Sequence, residues 1–275
     1  FAQKVIDAGA QFIGPSPKWI DAMGHKTRAR DLAAQYGMPM SQGSEVLPDD
    51  NDVIIAAARK IGFPVLVKPA GGGGGIGMLP AKDEVELLTA VERSRSMASR
   101  GFGTTEVYLE KLIERPRHVE FQILGDRHGD AMHLFERDCS TQRRNQKVIE
   151  EAPGPLIPRD KAVAVADQIA GIMRTMGYDN IGTVEMLLGA DGSFNFLEMN
   201  TRLQVEHGVT EEVTGVDLVR AQIRSAAGEK LGNILPGKAE IKGHAIQARV
   251  YAEDPKNFFP SPGKLTVFRP PEGEG

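Results

Sequence analysis

The chain has 275 residues but only one cysteine, Cys139, and no apolar run as long as a membrane span. A lone cysteine excludes an internal disulfide and fits a reducing compartment, so we expect a cytoplasmic protein, or a mitochondrial matrix protein if the source is eukaryotic. The net charge of −4 gives no electrostatic reason to expect nucleic acid or an anionic membrane as a partner. With 41% apolar and 25% charged residues, the composition is that of an ordinary soluble protein with one large or two modest domains.

No internal repeat is present, and hydrophobic periodicity divides the chain into three predicted parts. The first carries two helical patterns separated by GPSP, which predicts a turn or loop, and the second alternates short strands with helices. The third carries the strands of a larger antiparallel sheet. These parts are 1–40, 41–112 and 113–275. The chain begins at Phe1 inside a helical pattern and ends at PEGEG without closing an element, so we expect an excerpt from a longer polypeptide.

The individual elements follow from periodicity and from capping or turn residues. The predicted helices lie near 1–9, 25–36, 51–60, 82–98, 159–176 and 216–227, and Asp49 or Asp50 is the predicted cap of the third. The predicted strands lie at FPVLVK, EVYLEKLI, HVEFQILG and AMHLFERDCS, followed by a hairpin in which GADG joins TVEMLL to FNFLEM.

Polar residues alternate along FNFLEMNTRLQVEH, and if the run is extended they share one face. They are Glu198, Asn200, Arg202, Gln204 and Glu206. Phe194 and Phe196 would lie on that same face, which suggests that the face is buried at its start.

A four-residue loop at 190–193 in the predicted hairpin places Glu185 opposite Glu198. Like charges directly opposite on a sheet are destabilising unless a cation lies between them, and two carboxylates with an amide oxygen form a hard oxygen site. We therefore interpret Glu185, Glu198 and Asn200 as ligands of Mg²⁺. The alternative is a solvated strand face with alternating charges, which is the commoner arrangement in general.

The glycine run that begins at Gly71 formally contains the dinucleotide pattern GxGxxG, but no helical pattern opens directly after it. A Walker A motif is excluded because Gly77 is followed by Met78 rather than by lysine. Consecutive glycines are entropically costly as filler, so we predict a mobile flap whose backbone amides cover phosphates that Lys68 can reach. The alternative is a flexible linker.

Basic residues cluster in RRNQK, where Arg143, Arg144 and Lys147 follow a predicted strand. A solvated cluster is one interpretation, and a loop that frames a small anion is the other. Arg249 can hold a carboxylate-like or enolate-like anion, because a guanidinium is always charged and binds bidentately. His118 is equally compatible with ligand contact and with a structural role, and Cys139 is expected to pack rather than react.

Six motifs in order give the chain a specific resemblance, which covers nearly all of it: FPVLVKPAGGGGGIGM, VYLEKLI, RPRHVEFQILGD, ERDCSTQRRNQKVIEEAP, FLEMNTRLQVEH and AEDP with FFPSPGK. The chain resembles the biotin carboxylase component of biotin-dependent carboxylases, in particular acyl-CoA carboxylase alpha subunits, which are ATP-grasp enzymes. The resemblance implies an α/β (α+β) ATP-grasp fold, with a small lid domain, a larger antiparallel-sheet domain and an N-terminal domain mostly absent. It also implies that ATP and bicarbonate form carboxyphosphate, whose CO₂ passes to N1′ of biotin.

The resemblance also implies roles by matching position. The residues implied to contact ATP are Lys26, Lys68, Gly72, Gly73, Gly74, Gly75, Gly77, Met78, Glu110, Lys111, Ile113, His118, Gln142 and Asn145. Those implied to hold bicarbonate are Lys147, Arg202, Gln204 and Val205, and those implied to hold Mg²⁺ or Mn²⁺ are Glu185, Glu198 and Asn200. Glu206 resembles the general base, and Arg249 the residue that stabilises the biotin enolate.

The sequence departs from the family at Ile76, Asn145 and Gly208, none of which is a catalytic position. It contains no Ala-Met-Lys-Met motif, so biotin is expected on a carrier domain elsewhere, with a carboxyltransferase as a further partner and a homo-oligomer as the assembly. Two alternatives remain. One is another ATP-grasp ligase, such as a carbamoyl-phosphate synthetase or a purine-pathway carboxylase; the other is a catalytically silent ATP-binding fragment.

Overall fold

The computed structural model describes residues 1–71, 75–270 and 272–273. Its helices are α1 Ala2–Asp7, α2 Pro17–Gly24, α3 Lys26–Gln35, α4 Asn51–Ile61, α5 Glu84–Phe102, α6 Arg159–Met176, α7 His207–Thr214, α8 Leu218–Ala226 and α9 Leu231–Ile234. Its strands are β1 Gly43–Val46, β2 Val65–Pro69, β3 Leu79–Ala81, β4 Val107–Lys111, β5 Arg117–Gly125, β6 Ala131–Arg143, β7 Gln146–Ala152, β8 Asn180–Leu188, β9 Phe194–Asn200 and β10 Ala245–Ala248. No helix of these described residues is both long enough and apolar enough to cross a membrane.

A four-stranded antiparallel sheet has the order β1-β4-β2-β3. Helices α4 and α5 bury their apolar sides against it, with Ile54 and Leu87 almost fully buried. Asp50, one of the two predicted candidates, is the cap of α4, because its carboxylate accepts the N–H groups of Asp52 and Val53. These strands lie within residues 43–111.

A larger antiparallel sheet has the order β10-β7-β6-β5-β8-β9. Alternation in β5 and β8 determines its two faces. Val119, Phe121 and Val184 point into the main core with α6 and with side chains of α2 and α3. Their neighbours Glu120 and Glu185 therefore lie on the opposite face, where α7 and α8 flank a polar cluster. The division at 1–40, 41–112 and 113–275 stays a prediction.

The prediction that GPSP forms only a turn or loop is wrong at its last residue. Pro17 is the first residue of α2, where a missing N–H removes no helical hydrogen bond. The helix buries Trp19, whose indole N–H donates to Gly177 O at 3.1 Å. Thus a helix that the pattern did not reveal attaches the start of the chain to the end of α6.

Of the two interpretations of the basic cluster, the one that places it in a loop is wrong, because β6 and β7 form a hairpin there. Arg144 and Asn145 occupy its turn with φ of 52° and 63°. Two successive left-handed residues are the geometry of a tight hairpin turn, which Asn-Gly usually signals and Arg-Asn does not. Lys147 consequently lies on a strand.

The hairpin of β8 and β9 pairs Glu185 with Glu198, as predicted, but through a bulge. Met186 pairs with Phe196, so Leu197 is an extra residue. The bulge reverses the alternation, and Phe196 joins the core while Glu198 lies on the face of Glu185. The expectation that both phenylalanines share the Glu198 face is therefore wrong.

The extended run does not continue beyond β9. That strand ends at Asn200, the chain is irregular through Gln204, and α7 begins at His207. Arg202, Gln204 and Glu206 thus leave the single row that strict alternation predicted. Their side chains reach the site from a loop and from the start of a helix.

Candidate active site

Lys147 is the centre of the polar cluster on the larger sheet. Its ammonium donates to Glu120 Oε2 at 2.5 Å, Glu185 Oε1 at 2.7 Å and Glu206 Oε1 at 2.7 Å. Burial alone would lower the pKa of Lys147, but Glu120 and Glu185 outweigh it and raise that pKa well above its usual value. The side chain is therefore a fully charged ammonium that joins three strands and the start of α7.

Glu185 accepts several donors on one buried carboxylate. Besides Lys147, the amides of Asn200 and Gln204 donate to Oε1 at 3.0 Å each, and His118 Nε2 lies 2.9 Å from Oε2. Burial opposes ionisation, yet His118 and then Lys147 lower the pKa of Glu185 well below its usual value. Gln142 lies 3.0 Å from His118 Nδ1 and orients that ring.

Glu206 lies between two cations. Arg249 donates to its Oε2 at 2.8 Å, while Lys147 donates to its Oε1. Burial alone would raise the pKa of Glu206, but Lys147 outweighs it and lowers that pKa. Arg249 also donates to Glu150 Oε1 at 2.6 Å, although burial still raises the pKa of Glu150. Glu206 is therefore an ionised carboxylate held by two cations.

The three predicted metal ligands lie at neighbouring positions. Glu185 and Glu198 are cross-strand partners, and the Asn200 amide contacts Glu185. Arg202 donates to Asn200 Oδ1 at 3.3 Å. Two carboxylates and an amide carbonyl are the oxygen donors that Mg²⁺ prefers, so these residues fit a divalent cation.

A second cluster lies on the smaller sheet. Lys68 donates to Glu110 Oε1 at 2.9 Å, and Arg30 NH1 lies 3.0 Å from the same oxygen. Burial lowers the pKa of Lys68 despite Glu110. The ammonium of Lys111, in contrast, donates to the carbonyls of Gly62 and Phe63.

The other residues implied to contact ATP have different surroundings. Lys26 is the first residue of α3, and its charge contributes to the lowered pKa of Lys68. A Cβ on Gly75 would come within 2.7 Å of Asn145 Nδ2, so the end of the glycine run lies against the β6–β7 turn. Gly77 and Met78 lead into β3, while Ile113 follows β4. Gly72, Gly73 and Gly74, and with them the predicted flap, lie outside the described residues.

Sequence reasoning missed two central residues, Glu120 and Arg137. Both are fully buried, and Arg137 Nε donates to Glu120 Oε1 at 2.5 Å. The available signal for Glu120 was its position between the apolar residues Val119 and Phe121, whereas Arg137 stands between Glu136 and Asp138 and gave no such signal. Cys139 is also buried, and burial followed by Glu120 raises the pKa of its thiol well above the usual value. A protonated buried thiol agrees with the packing role expected for it.

Curated proteins similar to this chain are biotin carboxylases and related enzymes. The chain is 46% identical over 275 residues to the biotin carboxylase of Halalkalibacterium halodurans, covering 100% of this chain and 61% of the relative. It is 47% identical over 276 residues to the biotin carboxylase of Pseudomonas aeruginosa, with 100% and 61% covered. One pyruvate carboxylase subunit, from Methanothermobacter thermautotrophicus, is 46% identical over 268 residues, with 97% and 54% covered. The chain thus spans at most about three fifths of these relatives.

Solved structures agree with the sequence relatives. A biotin carboxylase complex from Campylobacter jejuni superposes with a TM-score of 0.92 at 38% identity, covering 99% of this chain and 61% of that one. The biotin carboxylase domain dimer of the Hydrogenobacter thermophilus 2-oxoglutarate carboxylase, solved with MgADP, ADP and bicarbonate, gives 0.91 at 41% identity, with 100% and 60% covered. The family described as carbamoyl-phosphate synthase L chain, ATP binding domain, matches residues 25–234. By this match the chain belongs to that ATP-binding family, and it has the ATP-grasp fold of the biotin carboxylases it resembles.

Proposed function

We propose that the protein containing this chain carboxylates biotin on a carrier domain, using ATP and bicarbonate by way of carboxyphosphate. The observation that carries the proposal is the placement of Glu206, whose carboxylate receives Lys147 on one oxygen and Arg249 on the other. An ionised carboxylate between two cations suits a reaction that removes a proton from a small anion and then stabilises the more highly charged product.

Glu206 is the proposed general base. Bicarbonate is a poor nucleophile, so its proton must pass to a carboxylate as it attacks the γ-phosphate. When Glu206 takes that proton it becomes neutral. The Lys147 N–H that it accepted is then available to bind the new dianion. Arg202, Gln204 and the amide of Val205 are the other proposed bicarbonate ligands. Arg249 is proposed to stabilise the biotin enolate afterwards.

The proposed nucleotide site lies between the polar cluster of the smaller sheet and the polar cluster of the larger sheet. Lys68 and Lys26 are proposed to bind phosphates, with Glu110, Lys111 and Ile113 along the adenine. His118 and Gln142, which contact each other, are also proposed to contact the nucleotide. Mg²⁺ or Mn²⁺ held by Glu185, Glu198 and Asn200 would neutralise charge on the phosphates.

The proposed partners are a biotin carboxyl carrier domain and a carboxyltransferase, in a homo-oligomeric cytoplasmic enzyme. One solved relative is described as a domain dimer, which supports the oligomer. We expect an acyl-CoA acceptor, although the relatives include proteins named as pyruvate and 2-oxoglutarate carboxylases. The acceptor is selected by the carboxyltransferase, and the half-reaction proposed for this chain is common to all of them.

The test is ADP release by the complete natural protein, with bicarbonate and biotin each added or withheld. Dependence on both supports the proposal, because a carbamoyl-phosphate synthetase-like ligase would release ADP without biotin. The Glu206→Gln variant should bind ATP normally and lose biotin carboxylation about 10²–10⁴-fold, the usual range for a positioned base. Carboxylation at the wild-type rate in that variant would show that the proton acceptor is another group.

A further inference from the structure

Arg137 has the largest of the fully buried side chains in the described residues, and it lies beneath the polar cluster. A buried guanidinium is tolerated only when its donors are satisfied. All five N–H donors of Arg137 have acceptors: Nε donates to Glu120 Oε1 at 2.5 Å, NH1 to Gln122 Oε1 at 2.7 Å and Thr210 Oγ1 at 2.9 Å, and NH2 to Gln204 Oε1 at 3.1 Å and Thr183 Oγ1 at 3.3 Å.

The contact with Gln204 determines which end of its amide faces the site. An amide can present either its carbonyl or its NH₂ group to a ligand, but a guanidinium has only donors and accepts nothing. The Gln204 carbonyl must therefore face Arg137. Its NH₂ group faces the other way, and it donates to Glu185 at 3.0 Å.

The contact between Arg137 and Glu120 fixes the position of Lys147. Arg137 occupies Oε1 of Glu120, and Lys147 occupies Oε2. Glu120 is fully buried, so its orientation is set by these two cations. Lys147 is thereby held at a point from which it also reaches Glu206.

We propose that Arg137 is a positioning residue for the anion site, an inference that rests on the proposed function. It touches no reacting atom in this scheme. It directs the NH₂ group of Gln204 toward bicarbonate, because only a donor binds an anion, and it holds Lys147 in line through Glu120. A lysine at this position would keep the charge beside Glu120 but lacks the planar fork that reaches Gln204.

The test compares KM values for bicarbonate and ATP in the complete natural protein carrying Arg137→Lys. Loss of a hydrogen bond from a charged group should raise the bicarbonate KM about 10-fold or more, while the ATP KM stays within about twofold. A merely structural defect would instead lower kcat through a smaller active fraction. The double variant Arg137→Lys, Gln204→Leu should raise the bicarbonate KM by less than the product of the two single-variant increases. Part of the effect of Arg137 on bicarbonate passes through Gln204, so the two substitutions remove the same interaction.

The matched control is Glu136→Gln, at the next residue of the same strand. Glu136 is equally buried, but its Oε1 accepts the Gly154 N–H at 3.0 Å and contacts Arg159, away from Lys147. It should lose stability without a change in bicarbonate KM. If Arg137→Lys cannot fold, Thr210→Val removes one acceptor of the guanidinium and should raise the bicarbonate KM about 2- to 5-fold.

The outcomes separate the inference from the proposed function. Suppose the wild-type protein releases ADP with bicarbonate and biotin, but the bicarbonate KM is unchanged in Arg137→Lys, or in Thr210→Val if the first variant does not fold. That result overturns the positioning role alone. A wild-type protein with no such ADP release overturns the proposed function and the inference together.

Discussion

Replacing Lys147 by glutamine should destabilise the protein in a manner that depends strongly on pH. The ammonium contacts three carboxylates, and only 11% of its side chain is exposed. Removing one partner of a buried ion pair typically costs about 3–5 kcal/mol. We expect about 3 kcal/mol at pH 7, because Arg137 and Arg249 remain beside Glu120 and Glu206.

The pKa shifts determine the sign of the pH dependence. The pKa of Lys147 is raised on folding, so its contribution is present below the unfolded lysine value of about 10.4 and is lost at higher pH. The pKa values of Glu185 and Glu206 are lowered, so their contributions are present above about 4.3 and are lost as the pH falls. Both contributions are complete between about pH 5 and 9 in the wild-type protein.

In the Lys147→Gln variant, burial remains while the ammonium is gone, so the pKa values of Glu185 and Glu206 should rise. Proton uptake then relieves the repulsion as the pH falls. The stability difference from wild type should therefore be largest at pH 7–9 and shrink toward pH 5.

The measurement is urea unfolding of both proteins, without nucleotide or divalent cation, between pH 5 and 9. Lys111→Gln is the matched control, because that ammonium binds the carbonyls of Gly62 and Phe63 and contacts no carboxylate among the residues that the structure describes. Its stability loss should not vary with pH over this range. A Lys147→Gln difference below about 1 kcal/mol, or one as constant with pH as that of the control, would refute the reasoning.

Three further changes have expected outcomes. Glu198→Gln should weaken nucleotide binding measured with Mg²⁺ by about 10-fold and leave binding without the cation unchanged; an equal loss in both conditions would contradict a metal role. Arg249→Ala should impair CO₂ transfer to biotin more than bicarbonate-dependent ATP cleavage, because the guanidinium acts on the later anion; equal impairment would contradict that order. Gly77→Ala should lower stability by about 1–3 kcal/mol, measured by urea unfolding, because Gly77 has φ of 79° and its Cβ would lie 2.9 Å from Pro69; unchanged stability would show that the turn adapts.

Local patterns predicted the elements whose determinants are local. The helix α6 occupies the predicted 159–176 range, and Asp50 caps α4, because amphipathic spacing and capping depend on residues a few positions apart. The pairing of Glu185 with Glu198 was also predicted. It survived a turn one residue longer than expected only because the bulge at Leu197 restores the register.

Long-range contacts explain what the sequence did not reveal. The donors of Arg137 reach residues on β5, β8, the loop after β9 and α7, as much as 73 positions away. From the sequence alone, an arginine on a strand is expected to be exposed, and its burial is understood only once those partners are known. The start of α2 and the Arg-Asn turn were missed because proline and paired basic residues usually signal loops.

The placement of carboxylates in the site favours a divalent cation. Its buried or half-buried carboxylates are Glu120, Glu150, Glu185, Glu198 and Glu206, whereas its permanent cations are Arg137, Lys147, Arg249 and the exposed Arg202. Carboxylates thus exceed these cations by one. Glu185 meets part of that excess by accepting from Lys147 and two amides, but Glu198 directly opposite receives no such donor among the described contacts. The excess is concentrated at the Glu185–Glu198 pair, where two carboxylates face each other and supply oxygen ligands of the kind that a divalent cation prefers.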